Sequence, residues 1–228
     1  MPHFKLTLAY VGTGLVGWQR QASGTSVQAL LEEAFLPLEP GGVVVSGAGR
    51  TDAGVHALGQ VASVTLHRRI APAALVRALN VRLPPAVRVL GAEPVSPSFH
   101  ARFSAVAKTY RYRIWNGPVV SPFDRPFVWH VAHPPLAVDA MADAAARLVG
   151  RHDFAAFQGA GSDATTSVRT IVSSTVRADA PRPDERLIIY DVRGDGFLRH
   201  MVRAIVGTLV EVGRGRRPPA WVAEVLAA

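Results

Sequence analysis

One stretch of the chain gathers the residue types that chemistry needs. Ser46-Gly-Ala-Gly-Arg-Thr-Asp-Ala-Gly-Val-His-Ala-Leu-Gly59 sets Arg50, Asp52 and His56 among four glycines. Glycines at this density point to positive φ angles or to close approach of a ligand. A guanidinium two residues from a carboxylate favours the ionised acid. A carboxylate kept charged serves as nucleophile or base, whereas a general acid needs its pKa raised. A P-loop needs a Lys-Ser/Thr pair after its last glycine, and a dinucleotide fingerprint needs another glycine spacing; neither is present. The plainer alternative is a surface hairpin whose glycines only make the turn. Against it, Arg, Thr, Asp and His on one loop are where binding and catalytic groups concentrate.

His56, His100 and His152 suggest a metal only by residue type, because no ligand pair has the required spacing. No metal site is expected. The chain has no cysteine, which removes disulfides, thiolate sites and cysteine nucleophiles and fits a cytoplasmic protein. Its formal net charge is +8, and all basic residues except Lys5 and Lys108 are arginines. That balance favours a polyanionic partner, since arginine forks onto phosphates and stacks on bases. Arg102, Arg111, Arg113 and Arg199 are candidate phosphate contacts, each with an ordinary solvated arginine as its alternative. No apolar window approaches about 18 residues, so no membrane span is expected. The first residues run into strand-like alternation and lack a signal-peptide layout.

The elements that must position these groups follow from periodicity. Phe4, Leu6, Leu8 and Tyr10 alternate with polar or small residues, as in a half-buried strand. Thr25 with Gln28 forms a capping-box pattern before a helix carrying Val27, Leu30, Leu31, Ala34 and Phe35. Val43–Val45 and Val61–Leu66 read as strands flanking the glycine-dense loop, and Pro72 opens a helix to Asn80. Val87 and Val89 mark a further strand. The order is β-α-β-β-α-β, the ferredoxin-like pattern.

The second half repeats it: a strand through Tyr110, Tyr112 and Ile114, a helix over Val138–Val149, strands Ile171–Val176 and Leu187–Val192 joined by a turn at Pro181–Asp184, and a helix over Leu198–Val212. The expected fold is α+β, with two ferredoxin-like (βαββαβ-type) halves, residues 1–98 and 99–228, their sheets side by side around a central basic cleft. The boundary falls near Pro97 to His100. The second half lacks its last strand, so its sheet edge is expected either to stand open or to be covered by another segment.

The segment Gly49-Arg50-Thr51-Asp52-Ala53-Gly54-Val55-His56 resembles the signature of the TruA family of tRNA pseudouridine synthases. Further matches follow in family order: Gly17-Trp18-Gln19-Arg20-Gln21, Thr25-Ser26-Val27-Gln28, Phe99-His100-Ala101-Arg102-Phe103-Ser104, Lys108-Thr109-Tyr110-Arg111-Tyr112, Gly150-Arg151-His152-Asp153-Phe154 and the run from Gly196 to Gly207. They span nearly the whole chain. One departure is Val11, where the family's first strand ends Tyr-Asp-Gly.

The resemblance implies the pseudouridine synthase fold and a cofactor-free isomerase of uridines 38, 39 and 40 in the tRNA anticodon stem-loop. It implies Asp52 as the essential carboxylate, Arg50 as the residue taking the flipped base's place, Tyr110 stacking on the uracil, and Arg203 pairing with Asp52 at the floor of the groove. Phe197 and Met201 would line an apolar wall, and Arg20, Arg102, Arg111 and Arg199 would contact RNA. Relatives act as homodimers with one tRNA spanning both subunits, which gives tRNA and a second copy as expected partners. An alternative is a tRNA-binding or tRNA-refolding protein with impaired catalysis. A phosphate- or metal-dependent hydrolase is disfavoured by the missing P-loop lysine and ligand pairs.

Overall fold

The computed structural model describes residues 1–161, 164–179 and 186–228. They form a mixed α+β protein with two sheets, in two compact units, Met1–Ala105 and Val106–Ala228.

The first unit runs β1 (His3–Tyr10), α1 (Val27–Phe35), β2 (Ser46–Gly47), β3 (Ala57–Thr65), α2 (Pro72–Arg82) and β4 (Val87–Val95). Its strands lie in the order β2-β3-β1-β4, with β1 antiparallel to both neighbours. Successive strand residues face opposite sides, so Phe4, Leu6, Leu8 and Tyr10 are buried while the residues between them are partly exposed. Val27, Leu31 and Phe35 of α1 and Leu75 and Leu79 of α2 complete that core.

Two local readings shift by a residue or two. The cap of α1 is Ser26, whose hydroxyl accepts the Ala29 N–H at 3.2 Å. Gln28 makes no capping box; its amide accepts the Arg20 N–H and donates to the Val45 carbonyl. The strand expected at Val43–Val45 forms instead at Ser46–Gly47, because the Val45 N–H is taken by Glu32.

Residues 99–105 stay with the first unit. A His3 ring nitrogen lies 2.8 Å from the Phe99 carbonyl, and the Ala101 N–H donates to Ser63 Oγ.

The second unit comprises β5 (Lys108–Trp115), β6 (Trp129–His130), α3 (Val138–Ala146), β7 (Gly150–Asp153), β8 (Val168–Asp179), β9 (Leu187–Gly194), α4 (Met201–Gly213) and α5 (Trp221–Leu226). The sheet order is β6-β5-β9-β8-β7. Ile114, Ile188, Tyr190 and Val192 form one core with Met141 of α3 and Met201, Ile205 and Leu209 of α4. The α4 helix begins at Met201 rather than Leu198, since His200 takes a left-handed conformation (φ 59°) that no helix can include. The turn expected at Pro181–Asp184 lies outside the described residues; Asp179 and Leu187 on either side of it pair. β6 occupies the open side of β5 at Ile114 and Trp115 alone, pairing in parallel, with the Val131 N–H bonded to the Trp115 carbonyl. Among the described residues no strand pairs with Lys108–Arg113 on that side.

Glu39, 5% exposed, joins the end of α1 to the chain leaving β3. One carboxylate oxygen accepts the N–H groups of Arg68 (3.1 Å) and His67 (2.8 Å), and the other lies 3.0 Å from His67 Nδ1. The Arg68 amide foremost, with the His67 contacts, holds this carboxyl below the usual carboxylate range. A depressed acid stabilises the fold above its unfolded value, about 4.3, and that contribution is lost as pH falls through the folded value. Glu39→Gln is therefore expected to lower Tm at pH 7 and to flatten the loss of Tm below about pH 4.3. Thermal unfolding across pH checks this; an acid limb as steep as wild type would remove Glu39 from the account.

Candidate active site

The β2–β3 loop carrying Arg50 and Asp52 has little regular pairing of its own, so its shape is imposed from the β1–α1 connection. The Trp18 N–H donates to the Thr51 carbonyl at 3.0 Å, and Gly54 N–H to the Leu15 carbonyl at 3.2 Å. Gly12 N–H donates to His56 Nδ1 at 3.1 Å, which fixes the hydrogen of a neutral His56 ring on Nε2. The Gln60 amide donates to the Gly49 carbonyl at 2.7 Å, and Ala48 N–H to the Val61 carbonyl. Inside the loop, Val55 N–H closes a turn onto the Asp52 carbonyl, and Gly54 takes φ +78°.

Tyr10, at the end of β1, supports this loop from below. Its hydroxyl lies 2.9 Å from Thr51 Oγ1. Burial, opposed by its bonds to Thr51 and Gln60, raises the pKa of this phenol, so it stays a hydrogen-bonding O–H. Trp18 is also buried, its ring 6.5 Å from that of Tyr10 and packed against Gly47. By sequence pattern Tyr10 is only a strand core residue, and Trp18 carries no role. The signal available was position: both lie where a strand or turn abuts the glycine-dense loop.

Asp52 and Arg50 are exposed on this anchored backbone. Within the first unit Asp52 is therefore accessible, as a carboxylate that meets a substrate must be.

In the second unit, Tyr110 on β5 is half-buried, opposite Val192 of β9, and meets the Phe197 ring edge-on at 4.8 Å and 71°. Phe197 belongs to the turn between β9 and α4. Met201 is completely buried, so it has no surface to line a wall; it lies in the core against which Tyr110 and Phe197 pack. Arg203, one turn into α4, is exposed, and its charge lowers the phenol pKa of Tyr112, which burial raises more strongly.

The candidate RNA contacts differ in what already holds them. Arg20 binds Glu32 through Nη2 at 2.9 Å. Arg111 forks onto Asp191 with two bonds of 2.8 and 2.9 Å, which raise its pKa. Arg199 donates to the Ala160 and Gly161 carbonyls. Arg113 lies 3.6 Å from Asp124. Arg102 is exposed, its guanidinium 5.7 Å from the Phe103 ring centre. Among the described residues no group of three His, Asp or Glu side chains is gathered as metal ligands, and no helix is long and apolar enough to cross a membrane.

Gly17 also sets the loop's position tightly. Its φ is +104°, and a Cβ there would be driven into the Thr51 carbonyl oxygen, which the next amide binds. Gly17→Ala is expected to destabilise by about 1–3 kcal/mol and to speed hydrogen exchange at Trp18 and Gly54. Native-state exchange measures this; wild-type protection at both amides would refute the anchoring role.

Comparison with known proteins bears on both units. Residues 7–104 and 144–228 match the family model described as tRNA pseudouridine synthase. The first segment contains the Asp52 loop and the second contains Phe197 and α4, whereas Tyr110 falls between them. The chain is 48% identical over 227 residues to tRNA pseudouridine synthase A of Myxococcus xanthus, covering all of this chain and 84% of that protein. It is 49% identical over 221 residues to the protein of the same name from Solibacter usitatus, covering 94% of this chain and 88% of that one. With the protein so named from Limosilactobacillus fermentum it shares 44% over 233 residues, covering all of this chain and 88% of that one. On these matches the chain belongs to the tRNA pseudouridine synthase family.

Proposed function

We propose that this protein isomerises uridine to pseudouridine at positions 38, 39 and 40 of the tRNA anticodon stem-loop, with Asp52 as the essential carboxylate. The observation that carries the reading is the Asp52 loop, a carboxylate presented outward on a backbone fixed from both sides by Trp18, Tyr10, Gly12 and Gln60. Family membership supports it.

The reaction breaks the bond between the sugar carbon and the uracil nitrogen, turns the base, and rejoins it through a ring carbon. That carbon loses a proton and the freed nitrogen gains one. No atoms are lost and no electrons are exchanged, so the chemistry needs no cofactor. The target base is stacked and must first be extruded, at a cost of a few kcal/mol. Arg50, beside Asp52 in sequence, would take the base's place in the RNA. Tyr110, held edge-on by Phe197, would stack on the extruded uracil, and base–aromatic stacking returns about 1–3 kcal/mol. Arg203 would supply the cation to Asp52, and Met201 would support the aromatic pair from the core. A tRNA substrate supports a cytoplasmic location. Two copies of the chain would share one tRNA, which gel filtration tests.

The finer fold reading belongs here too. The order β2-β3-β1-β4 with two helices on one face supports a ferredoxin-like first half. The series β5-β9-β8 supports a second half of the same type, with β6 at the position of the absent strand.

Asp52→Asn removes the reactive oxygen anion while keeping an exposed side chain of equal size. It is expected to lower pseudouridine formation by more than about a thousandfold with tRNA binding retained. Incubation with a tRNA transcript and mapping of pseudouridine measures both, and normal turnover by the variant would overturn the mechanism.

A further inference from the structure

We propose that the turn at residues 99–104 is a second RNA contact, in which Phe103 stacks on an unpaired nucleobase of the substrate and Arg102 binds the adjoining phosphate. The inference rests on the reading of the chain as a tRNA-modifying enzyme and adds a site away from the Asp52 loop.

The first observation is exposure. Phe103 is 77% exposed, although a phenylalanine left in water forgoes the stabilisation of burial. The second is rigidity. His100 N–H donates to Ser104 Oγ, Ser104 N–H returns to the His100 carbonyl, and Arg102 N–H donates to His100 Nδ1. The turn is bolted to the sheet through buried Ala101, whose N–H reaches Ser63 Oγ, and through the Phe99 carbonyl, which lies 2.8 Å from a His3 ring nitrogen. Such a turn holds its apolar ring out in water without the means to fold it away.

The third observation is chemical company. The His100 ring lies 4.5 Å from that of Phe103 at 35°, and the Arg102 guanidinium lies 5.7 Å from the Phe103 centre. A flat aromatic with an arginine beside it matches a nucleotide: the ring offers a stacking surface and the guanidinium a partner for phosphate. An apolar protein partner would use the ring but would leave the arginine's charge to be desolvated. The net charge of +8 favours the polyanion.

The two side chains have separable signatures. Stacking releases no counterions, so its loss weakens binding at every salt concentration alike, whereas loss of a phosphate contact reduces the salt dependence. Binding of an unmodified tRNA transcript is measured from low to high salt for wild type, Phe103→Ala, Phe103→Trp, Arg102→Ala and, as an exposed control in α2, Val81→Ala. Phe103→Ala is expected to weaken binding about tenfold with an unchanged salt slope, and Phe103→Trp to restore it. Arg102→Ala is expected to reduce the slope of log K against log salt by about 0.7–0.9, and Val81→Ala to match wild type. Thermal unfolding of each variant verifies folding, since an exposed ring contributes little to the core. Wild-type affinity in Phe103→Ala overturns the proposal, as does a change of oligomeric size in Phe103→Ala with RNA binding intact, which would assign the ring to a protein interface. Pseudouridine formation by the wild type is scored in the same reactions, so failure of the enzymatic reading is seen separately from failure of this site.

Discussion

The site depends on a backbone constraint: a loop with almost no internal pairing must hold one carboxylate still. The Trp18 amide on the Thr51 carbonyl and the Tyr10 hydroxyl on Thr51 Oγ1 grip the residue immediately before Asp52. Displacement of a reacting group by about 1 Å can cost a hundredfold in rate. On the proposed role of Asp52, the anchors therefore bear on chemistry by fixing the backbone that carries it. They also explain two of the glycines. A Cβ at Gly12 would strike the Val55 carbonyl and one at Gly17 the Thr51 carbonyl, so the β1–α1 connection lies against the loop at a distance only glycine allows.

In the second unit the constraint is packing. Tyr110 sits on a strand whose alternate residues enter the core, and Phe197 fixes its ring from the turn before α4. That turn is shaped by the left-handed His200, while Arg199 ties it to the carbonyls of Ala160 and Gly161. Several arginines read from the sequence as phosphate contacts thus have structural partners of their own. Arg111 is forked onto Asp191 and Arg20 onto Glu32. A net charge of +8 makes a polyanion the natural partner, but it does not say which guanidinium meets it.

Strand alternation in β1 and β5 and helical spacing in α1 and α4 were legible because each buries a continuous apolar face. β6 and β7 were not: with two and four residues they exist through their partners rather than any pattern of their own. The start of α4 was missed because one residue in a left-handed conformation stops a helix without a proline or glycine to announce it. At the site, Arg50 and Asp52 stood out by type and spacing. Tyr10 and Trp18 did not, since their work is to fill and bond beneath a loop. Met201 was placed on an apolar wall by the family resemblance, and its apolar side chain on one helix stripe looks alike whether it meets a ligand or, as here, the core.

The outward position of Asp52 has its own energetic logic. A carboxylate buried before substrate arrives would lose hydration with nothing on the other side to replace it, and such a charge either costs several kcal/mol or is neutralised. Exposed on an anchored loop, it stays accessible to water in the free protein, and in the proposed mechanism its desolvation falls in the binding step. There the stacking and phosphate contacts of a whole tRNA are available to offset it, and the bound RNA itself excludes water from the detached base. On this reading the protein supplies fixed geometry and the substrate supplies enclosure. The observed exposure of Asp52 and the rigidity of its loop are then two halves of one arrangement, since a group meant to be covered by its substrate has to be accessible first and immobile throughout.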